Sequence, residues 1–267
     1  MSREWPVTFV PQSVEDFAKW LSTSSIRTEL IYRGQAKTWK HLQASLDRRV
    51  PKNCSYQYKL TEKDKNVKSF LDQAARFLGN LEESYVTAYQ TNKIICMTVM
   101  QHFGAATRLL DWTKSVAVAA YFACIDEWRR DGAIWWISSK EIVDSVHPHW
   151  ERRGFRRKPE LGCEIDLNDG IFSPDVEKFI CLVDLRMPFA RAQAQRGLFT
   201  IGSRLGKDHD AVLKEHVSEG QYGRITIPAN LKGSVIDYLE RMGIDAVSLQ
   251  HAGADRVALR MAWERNS

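Results

Sequence analysis

The chain has 267 residues, 44% of them hydrophobic, enough apolar material for a core that needs neither disulfides nor a structural metal. Its five cysteines, Cys54, Cys96, Cys124, Cys163 and Cys181, are scattered and never spaced as CxxC, which argues against a secreted disulfide framework or a cysteine zinc site and for free thiols in a reducing compartment. The N-terminus MSREWPVTFVPQS lacks the basic and apolar regions of a signal peptide, and the longest apolar run, Val116 to Ile125, is too short to cross a bilayer, so a cytoplasmic protein without a membrane partner is predicted.

In chain order, Ser13 followed by Glu15 and Asp16 marks a helix start that predicts a first helix to about Leu21. Glu29 to Tyr32 reads as a short strand that delivers Arg33 into a turn at Gly34. Residues 36 to 60 are polar, basic and interrupted by Pro51, and read as a long loop. Helical patterns follow at about 63–79, closed by Gly79 and Asn80, and at 82–101. Ser115 fits the N-cap of a helix from Val116 to Arg129 that is apolar on all sides for ten residues, a pattern that belongs inside a core. Strands are predicted at Ala133 to Ile137, Phe179 to Leu185, Leu198 to Ile201, Arg224 to Ile227, Ala246 to Leu249 and Arg256 to Met261. A helix from Leu231 to Met242 stops at Gly243. Helices thus fill the first half and strands the second, which fits α+β better than a doubly wound sheet.

Charge is clustered. The net excess of +5 permits nucleic acid as a partner without demanding it. Residues 147–174 are rich in charge, Gly and Pro and read as an insertion. Within it Arg152, Arg153, Arg156, Arg157 and Lys158 stand with Trp150 and Phe155, the mixture that contacts phosphates and stacks on exposed bases, or that simply forms a solvated basic loop. His147-Pro148-His149 has no third ligand at metal spacing, so no metal site is predicted. Walker, GxSxG and HExxH motifs are absent from the sequence, which removes the common ATPase, hydrolase and zinc-protease readings.

The segments YRGQ (32–35), QHFGAATRLLDWT (101–113) and QAQRGLF (193–199), with Ala119, Phe122 and Ala123, resemble the FRG-domain family. The resemblance spans most of residues 30 to 250 and implies a single FRG-type domain over 1–267, with a basic insertion at 147–174. The same segments are more distantly similar to ADP-ribosyltransferases, which carry an early strand arginine, a Ser-Thr-Ser strand end leading into a helix with Phe-Ala, and a late ExE or QxE pair. Arg33, Asp111-Trp112-Thr113 and Gln193-x-Gln195 come in that order. This second resemblance implies a split β-sheet core with a helical N-terminal half, NAD as substrate, and a toxin-antitoxin or phage-defence effector with an antitoxin protein as partner and RNA as one acceptor.

Cleaving the nicotinamide–ribose bond develops positive charge on the sugar, so such a site must grip the diphosphate and stabilise an oxocarbenium-like transition state. Arg33 suits the first task because its planar fork takes phosphate oxygens bidentately, and Gly34 would let the backbone come close to a ligand. Gln35, His102 and Arg108 are further candidates for binding NAD. Asp111, Thr113 and Gln195 complete the expected catalytic set. Each has a structural alternative: a strand-end ion pair for Arg33, a turn or cap for Thr113, a satisfied helix-end group for His102 and a buried ion pair for Asp111. Gln195 departs from the transferase pattern, since a neutral amide stands where a glutamate is expected. A carboxylate moved to the neighbouring strand, Asp111, is one compensation.

Overall fold

The computed structural model describes residues 5–49, 93–102, 104–151, 178–184, 190–204 and 206–250. Their strands are β1 (Val7–Phe9), β2 (Leu30–Gln35), β3 (Leu109–Thr113), β4 (Gly132–Ser138), β5 (Ile180–Val183), β6 (Gly197–Gly202) and β7 (Tyr222–Ile227). The helices are α1 (Val14–Ser25), α2 (Ser45–Arg49), α3 (Lys93–His102), α4 (Val116–Cys124), α5 (Ser139–Glu151), α6 (Ala190–Ala194), α7 (His209–His216) and α8 (Lys232–Arg241).

All seven strands join one sheet in the order β1-β7-β4-β2-β3-β6-β5. Every pairing is antiparallel except β1 with β7. The fold is therefore α+β as expected, but the strands are spread along the chain: β1 to β4 all begin within the first 132 residues. Strand pairing is non-local, and β1 was not foreseen because it is three residues long and takes its register from β7, more than two hundred residues away.

Both faces of the sheet are covered. Leu30, Tyr32, Ile134 and Trp136 pack with Phe17 and Leu21 of α1, the buried residues of α4, and Val235 and Leu239 of α8. The alternate residues Ile31, Ala133, Trp135 and Ile137 pack on the other side with Ile142 of α5 and Val212 and Leu213 of α7. Period-two alternation thus feeds two cores, which is why β4 is buried along its whole length and shows no polar face.

The N-caps are where the sequence places them. Ser13 accepts from the Asp16 amide and Ser115 from the Val118 amide. Helix α4 is shorter than the expected Val116 to Arg129, because the chain turns after Cys124 and Glu127 takes a left-handed φ of 52°. The predicted strand from Ala246 to Leu249 is a turn. Asp245 and Ser248 exchange side-chain and backbone hydrogen bonds (2.9 and 2.7 Å) that compete with a strand ladder, and Val247 is 86% exposed. A short helix, α2, lies in the segment read as loop. The helix expected at 82–101 is observed over its described part, as α3, while 63–79 and Arg256 to Met261 lie outside the described residues. None of the described helices is long and apolar enough to cross a membrane, and Cys96, Cys124 and Cys181 are buried and form no disulfide.

One junction differs from the rest. β2 runs along β4 through six consecutive register pairs, whereas it meets β3 at Tyr32 and Thr113 alone. The functional groups singled out in the sequence gather around this junction.

Candidate functional site

Beside the β2–β3 junction lies a cavity of about 430 Å³. Arg33, Asp111, Thr113 and Gln195, far apart in sequence, all line it, together with Gly34 and His102. Arg33 and Gly34 are part of β2 rather than a turn after it. Gly34 is required for a reason other than ligand approach: a Cβ there would lie 1.9 Å from the Ala119 carbonyl oxygen, so the glycine lets β2 press against the backbone of α4.

Arg33 Nη1 donates to the main-chain oxygen of Asp111 at 2.6 Å and stands 3.5 Å from its carboxylate Oδ2. Burial pulls the guanidinium below its ordinary pKa; the Asp111 charge opposes this and the neighbouring Arg48 adds to it. An arginine remains a cation under such a shift. Its Nε is buried and has no hydrogen-bond partner among the described residues.

Asp111 is the exposed member of an otherwise buried strand, its side chain 58% accessible. The ion pair it makes is with Arg33 and is not a buried one. Oδ1 accepts from Gln101 Nε2 at 2.8 Å, and Gln101 in turn accepts from the Thr107 hydroxyl. Among the lining residues Asp111 is the one carboxylate, and Arg33, Arg48 and Arg191 are the three arginines.

The family model of the FRG domain matches residues 28–132. This stretch is an FRG domain. No match emerged from comparison with curated proteins or with solved structures. The FRG domain supplies one wall of the cavity, through Arg33, Arg48, Gln101 and Asp111, while Arg191, Gln195 and Phe199 come from beyond it.

Several expected site residues of the FRG domain hold the scaffold instead. The Thr113 hydroxyl donates to the Gln195 carbonyl at 2.7 Å and accepts from the Ser115 amide at 3.0 Å, so both its roles are engaged in fixing the turn into α4. Arg108 is buried, donates to the Gly202 carbonyl and does not line the cavity; a guanidinium at the start of β3 ties β3 to the end of β6. Gln35 also stands off the cavity, its Oε1 accepting from Trp135 Nε1 at 2.6 Å. Gln195 faces the cavity, but its Nε2 donates to the Leu249 carbonyl at 2.9 Å. His102 ends α3 and lines the cavity.

Sequence reasoning missed Arg48, Gln101 as a side-chain partner, Arg191 and Phe122. Arg48 lies on the unforeseen helix α2 and donates to the Gln43 carbonyl at 2.6 Å. Phe122 had a legible signal: with Val118 it makes an i, i+4 pair that turns toward the cavity from a helix otherwise buried. The basic cluster Arg152, Arg153, Arg156, Arg157 and Lys158 lies outside the described residues.

One further group among the described residues has the donors of a metal site. His41 Nδ1 stands 3.5 Å from Asp208 Oδ2 and 3.3 Å from Asp210 Oδ2. The same carboxylates accept from Gln43 Nε2 and the Leu42 amide, and Lys214 Nζ is 3.6 Å from Asp210. These contacts tie residues 41–43 to the start of α7, and the ammonium already places a cation against the buried carboxylate.

Proposed function

We propose that this cavity takes NAD and that the chain is an ADP-ribosyltransferase-like effector, transferring ADP-ribose to a macromolecule. One observation carries the reading: three arginines and a single acidic residue line one cavity, so it suits a diphosphate and keeps one anion for the sugar. A volume of about 430 Å³ falls in the range of small-molecule and cofactor sites. Arg33 and Arg48 repel each other across that space, and a diphosphate between them would relieve the repulsion.

The chemistry divides among the chain's own residues. Arg33 and Arg48 bind the diphosphate. Phe122 offers an aromatic face to a flat ring. Asp111, in the cavity lining, stabilises the positive charge that grows on the ribose as nicotinamide departs with the bonding electrons. The acceptor is a macromolecule, with RNA favoured by Arg152, Arg153, Arg156, Arg157 and Lys158. An effector of the toxin-antitoxin or phage-defence kind would act in the cytoplasm and need an antitoxin protein to restrain it.

A second reading has its own support. The amide of Gln195 stands where the transferases place a glutamate, and it bonds the Leu249 carbonyl. On this reading the scaffold binds a nucleotide or RNA without turning it over.

Incubation with NAD labelled in its adenylate, using cellular RNA and protein as acceptors, separates the two. Transfer of label, lost in Asp111→Asn with an unchanged melting temperature, supports the enzyme. NAD binding by calorimetry without nicotinamide release supports the binding module. Neither binding nor release would sink both.

A further inference from the structure

Asp111 poses a physical question. A carboxylate with a 58% accessible side chain ordinarily rotates into water, because exposed ion pairs contribute little and restrict a side chain. Arg33 does not account for its placement: the short bond from Nη1, 2.6 Å, goes to the main-chain oxygen of Asp111, and the carboxylate is 3.5 Å away. Gln101 makes the shorter contact to the carboxylate, 2.8 Å.

The orientation of the Gln101 amide is fixed from behind. The buried Thr107 hydroxyl accepts from the Leu109 amide at 3.1 Å, so its proton is directed to Gln101 Oε1. Turning the amide over would place its oxygen against the Asp111 carboxylate, two acceptors with no proton between them. Thr107 is itself immobilised: its amide donates to Ser45 Oγ at 2.9 Å, and its carbonyl accepts from the Leu46 amide at 2.9 Å. At the other end, α3 stops at Gly104 in the left-handed region, φ 87°, with the Gly104 amide donating to the Gln101 carbonyl at 3.0 Å.

We infer that Gln101 is the positioning residue of this site: oriented by Thr107, it holds the Asp111 carboxylate at the cavity as a fixed anion. One carboxylate oxygen faces Gln101 and the other faces Arg33, which leaves lone pairs on both open to a ligand. The assignment rests on the reading of Asp111 as the working carboxylate. It adds a relay, Ser45 to Thr107 to Gln101 to Asp111, that links the helix bearing Arg48 to the strand bearing the anion, so the groups proposed to grip phosphate and sugar are set by one connected framework.

The test uses the full chain with selectively labelled aspartate, the Asp111 signals being assigned by their loss in Asp111→Asn. Three-bond couplings report the χ1 rotamer of Asp111. We expect one rotamer in the wild type and in Thr107→Ser, which keeps the hydroxyl, and rotamer averaging in Gln101→Met and Thr107→Val. Nicotinamide release from NAD is measured in parallel, with kcat of Gln101→Met expected to fall roughly 10- to 100-fold and KM to stay within about twofold, since positioning acts on the reacting geometry. Should Gln101→Met fail to fold, Gln101→Glu sets a carboxylate against Asp111 and is expected to drive it from its rotamer. An Asp111 that keeps a single rotamer without the Gln101 amide overturns the inference, as does averaging that leaves kcat intact. A wild type that keeps Asp111 fixed yet releases no nicotinamide overturns the enzymatic reading and leaves the positioning role standing.

Discussion

Lys232 and Arg33 are cations largely withdrawn from water, and they are treated differently. Lys232, fully buried in α8, donates through Nζ to the carbonyls of Ala36, Asp126 and Glu127 at 2.5, 2.8 and 3.2 Å. All three ammonium protons are accounted for, and the group staples the end of β2 to the turn after α4. Arg33 has one short bond, a carboxylate at 3.5 Å and a buried Nε that no described residue meets. The comparison teaches how to tell a cation that holds a fold from one proposed to meet a ligand: the first is saturated by backbone, the second keeps a donor unbonded beside a cavity.

Substitutions can break or sharpen this contrast. The largest effect is expected from Lys232→Met, which strands three carbonyls and should lower unfolding free energy by roughly 3 kcal/mol or more, read by denaturant titration. NAD binding by the folded fraction should not change. His209 comes next. It is buried on the same side as Arg33, its Nδ1 3.0 Å from the Thr200 hydroxyl, and burial with the charges of Arg108 and Arg33 pushes its pKa down to about 3. The native state stays neutral while the unfolded chain takes up a proton near the usual 6.5, so stability falls as pH drops from about 6.5 toward 3. His209→Asn should flatten that slope by roughly one proton in pH-dependent melts, an effect on the order of 2 kcal/mol or more at the acid end. Arg33→Met should have the smallest effect on stability, about 1 kcal/mol for one lost hydrogen bond, yet weaken NAD binding at least tenfold by calorimetry, on the order of one charge-assisted bond. A large stability loss there would place Arg33 in the same class as Lys232.

The parts of this molecule legible in the sequence are those with local causes. Ser13 and Ser115 cap helices because a hydroxyl two or three residues ahead of free amides is a short-range device, and α4 reads as buried because its apolar residues leave no polar stripe. Arg33, Asp111 and Gln195 could be named from motifs, and they do meet at one cavity. What the motifs could not reveal is which atoms are engaged. Thr113, Arg108 and Gln35 look like site residues in sequence, but their polar atoms bond Gln195, Gly202 and Trp135, partners that only strand register brings near. Gly34 looks like a turn and is instead a contact between a strand and a helix backbone. Ala246 to Leu249 has strand-like composition, but the local bonds between Asp245 and Ser248 outcompete it.

The single pair between Tyr32 and Thr113 has a mechanical consequence. A sheet resists bending between two strands in proportion to the ladder bonds they share, so the β2–β3 junction beside Arg33 and Asp111 bends more easily than the β2–β4 or β3–β6 pairing. A guest that bridges those two side chains would tighten this junction like a clasp across a fold in cloth.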